Sequence, residues 1–337
     1  MKKLIALMIA LMMALSMVAC AAPAEEAPAA EAAPAEEAAP AEEAKVYSIG
    51  IAQLVEHAAL DASREGFVQA LADNGLVDGE TIKIDLQNAQ NDQATLSTIA
   101  DRFVSNKVDL ILAIATPSAQ AMAGKTSEIP ILATAVTDYE VAKLVDSNEV
   151  PGGNVSGTSD MNPVADQIAL ITELYPDAQT IGCIYNGGED NSVLQAGMAK
   201  EAIEAAGKAY TEITVTSTND VQQAMQTLVT KCDAIYIPTD NTLASSMPIV
   251  GDVAGSAKLP VVPGEAGMTA EGGLITLAIN YYDLGYQTGM MAVKILTEGA
   301  DISTMPVEFA TGFDYSVNEE YAALIGCEIP EKYAAKN

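Results

Sequence analysis

The sequence has one histidine, four cysteines and no tryptophan, and its 16 Lys and Arg are outnumbered by 46 Asp and Glu over 337 residues. Each shortage narrows the function. A formal charge of -30 repels phosphate backbones, which disfavours nucleic acid, because duplex binding rests on Lys and Arg neutralising phosphates. With His57 as the single histidine and no GxSxG, HExxH or GxGxxG stretch, no triad or nucleotide fingerprint is present. Gly124-Lys125-Thr126 fails as a phosphate loop, since the first glycine would fall at Ala119 and the triplet ends a helix where the loop should start one. Cys183, Cys232 and Cys327 are spaced by 49 and 95 residues without a CxxC. A disulfide framework, zinc knuckle or other metal site is therefore unsupported, and buried apolar thiols are expected, with Cys232 opening a strand. The reading is of a protein that is not an enzyme and holds no cofactor.

What is present begins with an address. Met1 to Lys3 give a positive end, Leu4 to Val18 an apolar run of 15 residues, and Met17-Val18-Ala19-Cys20 a close of small residues before cysteine. The run is short for a membrane span, which needs about 20 residues, and reads as a signal peptide over 1–19. The cysteine resembles the lipobox of bacterial lipoproteins, with Met17 where Leu is commoner, implying a membrane anchor through lipid on Cys20. From Ala21 to Ala44 only Ala, Pro and Glu occur, including seven Glu. Nothing there can bury a core, so 20–44 reads as a stiffened, self-repelling tether. The body from Lys45 keeps 39 acids against 14 bases, which favours solubility.

The body alternates β-branched runs with amphipathic stretches of helical period, the pattern of a parallel α/β sheet covered on both faces. Strands are expected at Val46 to Leu54, Thr81 to Leu86, Asp109 to Thr116 and Ile131 to Val136, then again at Thr180 to Tyr185, Tyr210 to Val215, Ala234 to Pro238 and Leu259 to Pro263. The halves match by punctuation: Ile49-Gly50-Ile51 with Ile181-Gly182-Cys183, Gly75 with Gly207, Lys107-Val108-Asp109 with Lys231-Cys232-Asp233, and Ile129-Pro130-Ile131 with Leu259-Pro260-Val261. Offsets of 132, 132, 124 and 130 residues argue for two Rossmann-like lobes of one architecture. Asp146 to Asp160 is expected to cross between them. After Leu274, a strand to Ile279, a helix from about Asp283 to Leu296, a strand near Val307 to Ala310 and a helix from about Asn318 would return and cross again, making a multi-strand hinge. The expected boundaries are 45–158 plus about 283–304 for lobe 1, and 159–282 plus about 305–337 for lobe 2.

Four stretches, Ala52 to Asp61, Gly152 to Asp160, Asp233 to Asn241 and Tyr282 to Tyr286, resemble the solute-binding proteins of tryptophan/tyrosine-type ABC transporters, from Lys45 to near Pro330. The resemblance implies a two-lobed, type I periplasmic-binding-protein-like fold. One departure is Thr137-Asp138-Tyr139-Glu140, where family members often carry Asp-Pro after the fourth strand.

Ligands of open α/β sheets bind beyond the carboxyl ends of the strands, where helix N-termini present free N–H groups. In lobe 1, Thr116 suits an N-cap and Pro117 the first helical position, leaving the N–H groups of Ser118 and Ala119 for a carboxylate. The first strand's exit carries Gln53, Glu56, His57 and Asp61, and the crossing carries Ser159 and Asp160. In lobe 2, Asn186 and Ser192 flank a glycine turn, and Asp240, Asn241 and Glu265 stand at later exits. A buried ammonium needs an anionic partner: Asp240 and Glu265 are favoured over Asp160 and Asp138. Tyr139, Tyr185 and Tyr281 are available to stack on an aromatic ligand. The expected function is extracytoplasmic capture of a small molecule between two lobes for an ABC permease and ATPase. The resemblance favours an amino acid, possibly aromatic. A sugar or nucleoside carrier, a ligand-sensing partner of a signalling receptor and a secreted hydrolase are the alternatives.

Overall fold

Short apolar runs buried on both faces become the central strands of parallel sheets, while more polar, partly exposed strands lie at the edges. In the computed structural model, which describes residues 45–333, the runs Leu110–Ile114 and Ile131–Val136 are buried throughout, whereas in Ile82–Asn88 only Ile82 is buried. The signal segment, Cys20 and the Ala/Pro/Glu tether lie outside the described residues.

The chain runs β1 (Tyr47–Gln53), α1 (Ala58–Asp73), β2 (Ile82–Asn88), α2 (Gln93–Asn106), β3 (Leu110–Ile114), α3 (Thr116–Ala123), β4 (Ile131–Val136) and β5 (Val155–Ser159). It continues with α4 (Val164–Leu174), β6 (Thr180–Asn186), α5 (Asp190–Ala205), β7 (Ala209–Val215), α6 (Thr218–Leu228) and β8 (Ala234–Ile237). Then come α7 (Asn241–Ala244), α8 (Met247–Ser256), β9 (Val261–Pro263), α9 (Ala266–Gly272) and β10 (Ile275–Ala278), and finally α10 (Tyr281–Glu298), β11 (Glu308–Phe309), β12 (Asp314–Val317) and α11 (Glu319–Ile325). Lobe 1 is a six-stranded parallel sheet ordered β11-β5-β4-β3-β1-β2, and lobe 2 a four-stranded parallel sheet ordered β7-β6-β8-β9, with β10 and β12 paired antiparallel beside it. Each lobe has its own apolar core. The expected α/β class with two parallel-sheet lobes is what the chain adopts.

The duplication shows in shared topology and in shared tasks. The order β2-β1-β3-β4 recurs as β7-β6-β8-β9. Gly50 lies under the Phe103 ring, where a Cβ would come within 2.7 Å, and Gly182 lies under Leu228 and Cys232, where it would come within 2.8 Å. The matched aspartates each pin the first strand of a lobe: Asp109 accepts the Ser48 N–H at 2.8 Å, and Asp233 accepts those of Gln179 and Thr180 at 2.8 and 2.9 Å. The Pro130 and Pro260 carbonyls both accept a strand N–H at 2.9 Å, from Ile111 and Ile235.

Three elements differ from the sequence expectations. Residues 155–159, expected to lie in a crossover, form the fully buried strand β5 of lobe 1. Their hydroxyls find partners inside: Ser156 Oγ donates to the Met305 carbonyl at 2.7 Å, and Thr158 Oγ1 lies 3.1 Å from Thr134 Oγ1 and 2.8 Å from Thr288 Oγ1. A polar run can therefore be a core strand. Strand β11, expected in lobe 2, pairs with β5 of lobe 1, so the last crossing falls after it. Cys232 sits in the turn before β8, and Cys327 is only half-buried. The lobes are linked at three places, β5 to α4, β10 to α10 and β11 to β12. Buried Asn162 ties the first two together, donating to the Asp160 carbonyl at 3.1 Å and accepting the Ile279 N–H at 3.2 Å. Among the described residues no helix is long and apolar enough to cross a membrane.

Candidate functional site

The carboxyl ends of both parallel sheets face one cleft, and side chains already reach across it. His57 Nε2 lies 3.2 Å from Asn241 Oδ1, Asn91 donates to Thr242 at 3.1 Å, Gln120 to Asp190 at 2.8 Å, and Gln195 to Thr137 at 3.1 Å. The lobes are closed on each other.

Lobe 1 offers donors. The N-cap of α3 is Ala115, at φ +83°, and not Thr116, so the helix starts one residue early. The Ala119 N–H is consequently bonded to the Ala115 carbonyl at 3.1 Å, which removes it from the expected carboxylate site. The N–H groups of Thr116 and Ser118 stand in the first turn, where a helix has no acceptors of its own. Their hydroxyls, Thr116 Oγ1 and Ser118 Oγ, are buried without a partner. A second strained residue, Ala135 at φ +55°, lines the cleft. Positive φ in a non-glycine residue costs of order 1–3 kcal/mol and clusters at functional sites.

Lobe 2 offers carboxylates. Asp240 caps α7, accepting the Leu243 N–H at 2.8 Å, and its other oxygen accepts the Asn186 N–H at 2.6 Å. Glu265 caps α9 through the N–H groups of Gly267 and Met268 at 2.6 and 2.7 Å. Glu189, which the sequence reading passed over, accepts from Asn241 Nδ2 at 2.6 Å and from Thr242 Oγ1 at 3.0 Å. Asp160, at the first crossing, accepts from Tyr281 Oη at 2.8 Å and Thr137 Oγ1 at 2.9 Å. All four acids are at most 4% exposed. Among the described residues, the ion pairs engage Asp61, Glu65, Asp85, Asp101, Asp109 and Glu173, none of these four. Burial, reinforced by neighbouring Glu189, raises the Asp240 carboxyl above its usual range. Burial pushes Glu265 up to about 7 against the pull of its two capping N–H groups, and raises Asp160 against its two hydroxyl donors. Helix capping thus accounts for where Asp240 and Glu265 sit, and leaves their charge without a cation.

His57 joins the two sides. Burial lowers its pKa, more than the Asn241 hydrogen bond raises it, so the ring is neutral near pH 7. Because Asn241 Nδ2 is committed to Glu189, its Oδ1 faces the histidine and accepts from Nε2–H. Nδ1 then carries a lone pair, is buried and has no partner. Asn191 repeats the arrangement: Nδ2 donates to the Thr239 carbonyl at 2.9 Å, and Oδ1 is buried and unpartnered. Asn191 lay inside the glycine-turn stretch of the sequence, next to Ser192, and a search for a second amide there would have found it.

Several expected residues are engaged elsewhere. Gln53 is locked between the Val55 carbonyl, Asp61 and Arg64, while Glu56 is exposed and outside the cleft cavities. Ser159 Oγ donates to the Thr137 carbonyl at 2.8 Å, and Asp138 caps the turn at Val141. Asn186 and Ser192 are buried beside Thr242 and the Thr239 carbonyl, supporting the acids from behind. Tyr139 is wholly buried, donating to the Ala133 carbonyl at 2.7 Å, and Tyr185 donates to Glu212, so neither is a stacking surface; Tyr281 does line the cleft. Side-chain length carries these tyrosines from the strand ends back into the cores.

The cleft is a chain of spaces. A small one of about 160 Å³ touches Thr116, Asp138 and Asn191. It shares Asn191 with a central one of about 300 Å³, bounded by His57, Asp160, Asp240, Asn241, Glu265 and Tyr281. Most of that volume is open to solvent: the enclosed room is about 20 Å³, space for about one water, so the closed cleft without ligand is tighter here than ligand pockets of roughly 300–1,000 Å³. Among the described residues no cluster of three or more His, Cys, Asp or Glu could hold a metal ion.

Residues 48–336 match a family model described as ABC transporter substrate binding protein. A tyrosine-binding protein of Clostridioides difficile (strain R20291) is 45% identical over 276 residues, 82% of this chain and 80% of that protein. An ABC domain in complex with L-Trp from Streptococcus pneumoniae has 38% identity and a TM-score of 0.83, covering 86% of this chain and 97% of that one. A ligand-free, open substrate binding protein with adhesive properties from Clostridium difficile has 50% identity yet a TM-score of 0.66, covering 85% and 97%. The greater likeness in shape to the liganded relative, against the order of identity, agrees with the closed lobes seen here.

Proposed function

The chain belongs to the ABC transporter substrate-binding proteins, extracytoplasmic receptors rather than enzymes, and from that premise we propose that it captures an α-amino acid with an aromatic side chain. The observation that carries this reading is that four of the five buried polar side-chain atoms left unpartnered among the described residues are two hydroxyls at the start of α3, His57 Nδ1 and Asn191 Oδ1, the fifth being Asn148 Oδ1 in the loop before β5. Orphaned buried groups are costly, of order 1–3 kcal/mol each, unless a ligand completes them. The α-carboxylate goes to the positive end of α3, between the Thr116 and Ser118 donors. The ammonium goes among Asp240, Glu265, Asp160 and Glu189, four buried acids without a cation, with His57 Nδ1 and Asn191 Oδ1 as neutral acceptors. A ligand that touches both lobes only when they are closed stabilises that state by its extra contacts, and the transporter reads the closed shape. The relatives named for tyrosine and complexed with tryptophan favour those two amino acids.

The reading includes attachment to the membrane through lipid on Cys20 after removal of 1–19, with 20–44 as the tether, and delivery to an ABC permease and ATPase. Metabolic labelling with a fatty-acid probe is expected to tag the protein and to be lost in Cys20→Ser. Calorimetric titration with panels of amino acids, sugars and nucleosides tests the ligand class. Heats with L-tyrosine or L-tryptophan are expected, and binding confined to sugars or nucleosides would replace the amino-acid reading.

A further inference from the structure

On the other side of Glu265 and Tyr281 from the central cleft space lies a third, wider one of about 740 Å³ counted to solvent, which has Ala59, Glu265 and Tyr281 as walls in common with it. The two differ in chemistry. Half the residues that wall the central space are acids, amides and the histidine, whereas the outer one is lined chiefly by Ala58 and Ala62 from α1, Ala266 from α9, Ala278 from β10, and by Tyr281 and Tyr315. We propose that this hinge-side pocket is the side-chain subsite of the amino-acid cleft and that its alanines set the preference for a large aromatic ring. The inference rests on the reading given under Proposed function.

Three observations lead there. First, order along the cleft: Thr116 at the start of α3, Asn191, the acids and then the apolar pocket follow one another through shared lining residues, which is the order carboxylate, ammonium, side chain of one extended ligand. Asn191, 6% exposed with an unpartnered Oδ1, marks the polar end of this path as incomplete without a ligand. Second, the small residues face empty space. Ala62 and Ala266 are half-buried on opposite lobes, Ala62 resting on the edge of the lobe 1 core, and their short side chains leave room between them. Third, Tyr281 and Tyr315 are both in the lining, Tyr315 already edge-on to Tyr333 at 4.8 Å between ring centres, and aromatic pairs gain from offset or edge-on contacts beyond area burial. Asp314 and Ser316 at the rim suit a ring that carries an O–H or N–H at its far edge.

The test uses the full chain and the probes L-tyrosine, L-tryptophan and L-alanine, with Ala62→Leu and Ala266→Leu filling the pocket from one lobe each. Overpacking of a ring site of this kind is expected to weaken L-tyrosine and L-tryptophan about tenfold or more in both variants. Unchanged melting temperatures without ligand would show that folding is intact. Because the chain contains no tryptophan, bound L-tryptophan is the sole indole, and its emission is expected to shift to the blue in wild type and less so in the variants. Aromatic affinities and emission equal to wild type in both variants would overturn the subsite and leave the amino-acid reading standing. A wild-type protein that binds none of the probes, nor any other amino acid, would overturn that reading and the subsite with it.

Discussion

The two lobes share a strand order and diverge where the strands end. Lobe 1 brings under-satisfied donors to the cleft, the first turn of α3 with its two orphaned hydroxyls. Lobe 2 brings satisfied acceptors, with Glu189, Asp240 and Glu265 each holding backbone N–H groups of its own lobe. The repeated features, Gly50 with Gly182, Asp109 with Asp233 and Pro130 with Pro260, all lie inside the lobes and build the fold. Lobe 1 adds β5 and β11 to the shared order, and at the cleft the strand-end loops of the two lobes carry different polar groups. The scaffold is therefore present twice, and on the proposed reading the complementarity to a zwitterion comes from the asymmetry of the loops.

The asymmetry can be broken first on the acidic side. Asp240→Asn removes the carboxylate and keeps the shape, so an ammonium would sit in the closed cleft with less negative charge around it. Removing one partner of a buried charge pair costs about 3–5 kcal/mol, and a loss of 100-fold or more in affinity for L-tyrosine is expected by calorimetry. Next comes closure itself. Gly267 sits where a Cβ would lie 2.9 Å from the Cβ of Ala58 across the cleft. Gly267→Val should hold the lobes apart, reducing affinity about tenfold or more and leaving the radius of gyration with ligand near its ligand-free value in X-ray scattering.

Acidity should separate binding from stability. Glu265 titrates near 7 in the folded chain, against 4.5 ordinarily, so the folded state holds the extra proton between those values. Its contribution to ligand-free stability is present below about pH 4.5 and is lost as pH rises towards 7. Ammonium binding needs the ionised form, so affinity should run the other way, falling by up to about tenfold per pH unit below 7. Glu265→Gln should flatten both slopes relative to wild type. His57, whose pKa is depressed, contributes stability that is lost as pH falls through its ordinary 6.5, and the Glu265 comparison cancels it because both proteins carry it. The smallest effect is on the donor side. Thr116→Val removes a buried hydroxyl that nothing satisfies, so the ligand-free protein should gain up to about 1 kcal/mol in denaturant unfolding while affinity drops several-fold. A variant less stable without ligand would show that the hydroxyl has a partner in the free protein.

The scaffold was legible because its signals are local. Glycines that end α1 and α5, at φ +78° and +72°, and apolar runs of strand length report the same physics in both halves. Strand β5 was not legible, since Ser156 and Thr158 look like loop residues until their buried partners are known. At the site, the exits that carry Asp240, Asn241, Glu265 and His57 followed from topology alone. The register of α3 did not, because a strained alanine took the cap position in place of Thr116. The part played by Glu189 was hidden for a related reason: its hydrogen bonds reach 52 and 53 residues along the chain to Asn241 and Thr242, and only the fold brings them together.

L-Tyrosine can be stripped of one charge at a time, and that titration addresses both lobes together. Tyramine lacks the carboxylate meant for lobe 1, and desaminotyrosine lacks the ammonium meant for lobe 2. Each is expected to bind at least about tenfold more weakly than L-tyrosine, with the greater loss for desaminotyrosine, whose carboxylate brings no cation to the buried acids. Either analogue binding as tightly as L-tyrosine would contradict capture of a zwitterion between an α3 donor site and a carboxylate-lined lobe.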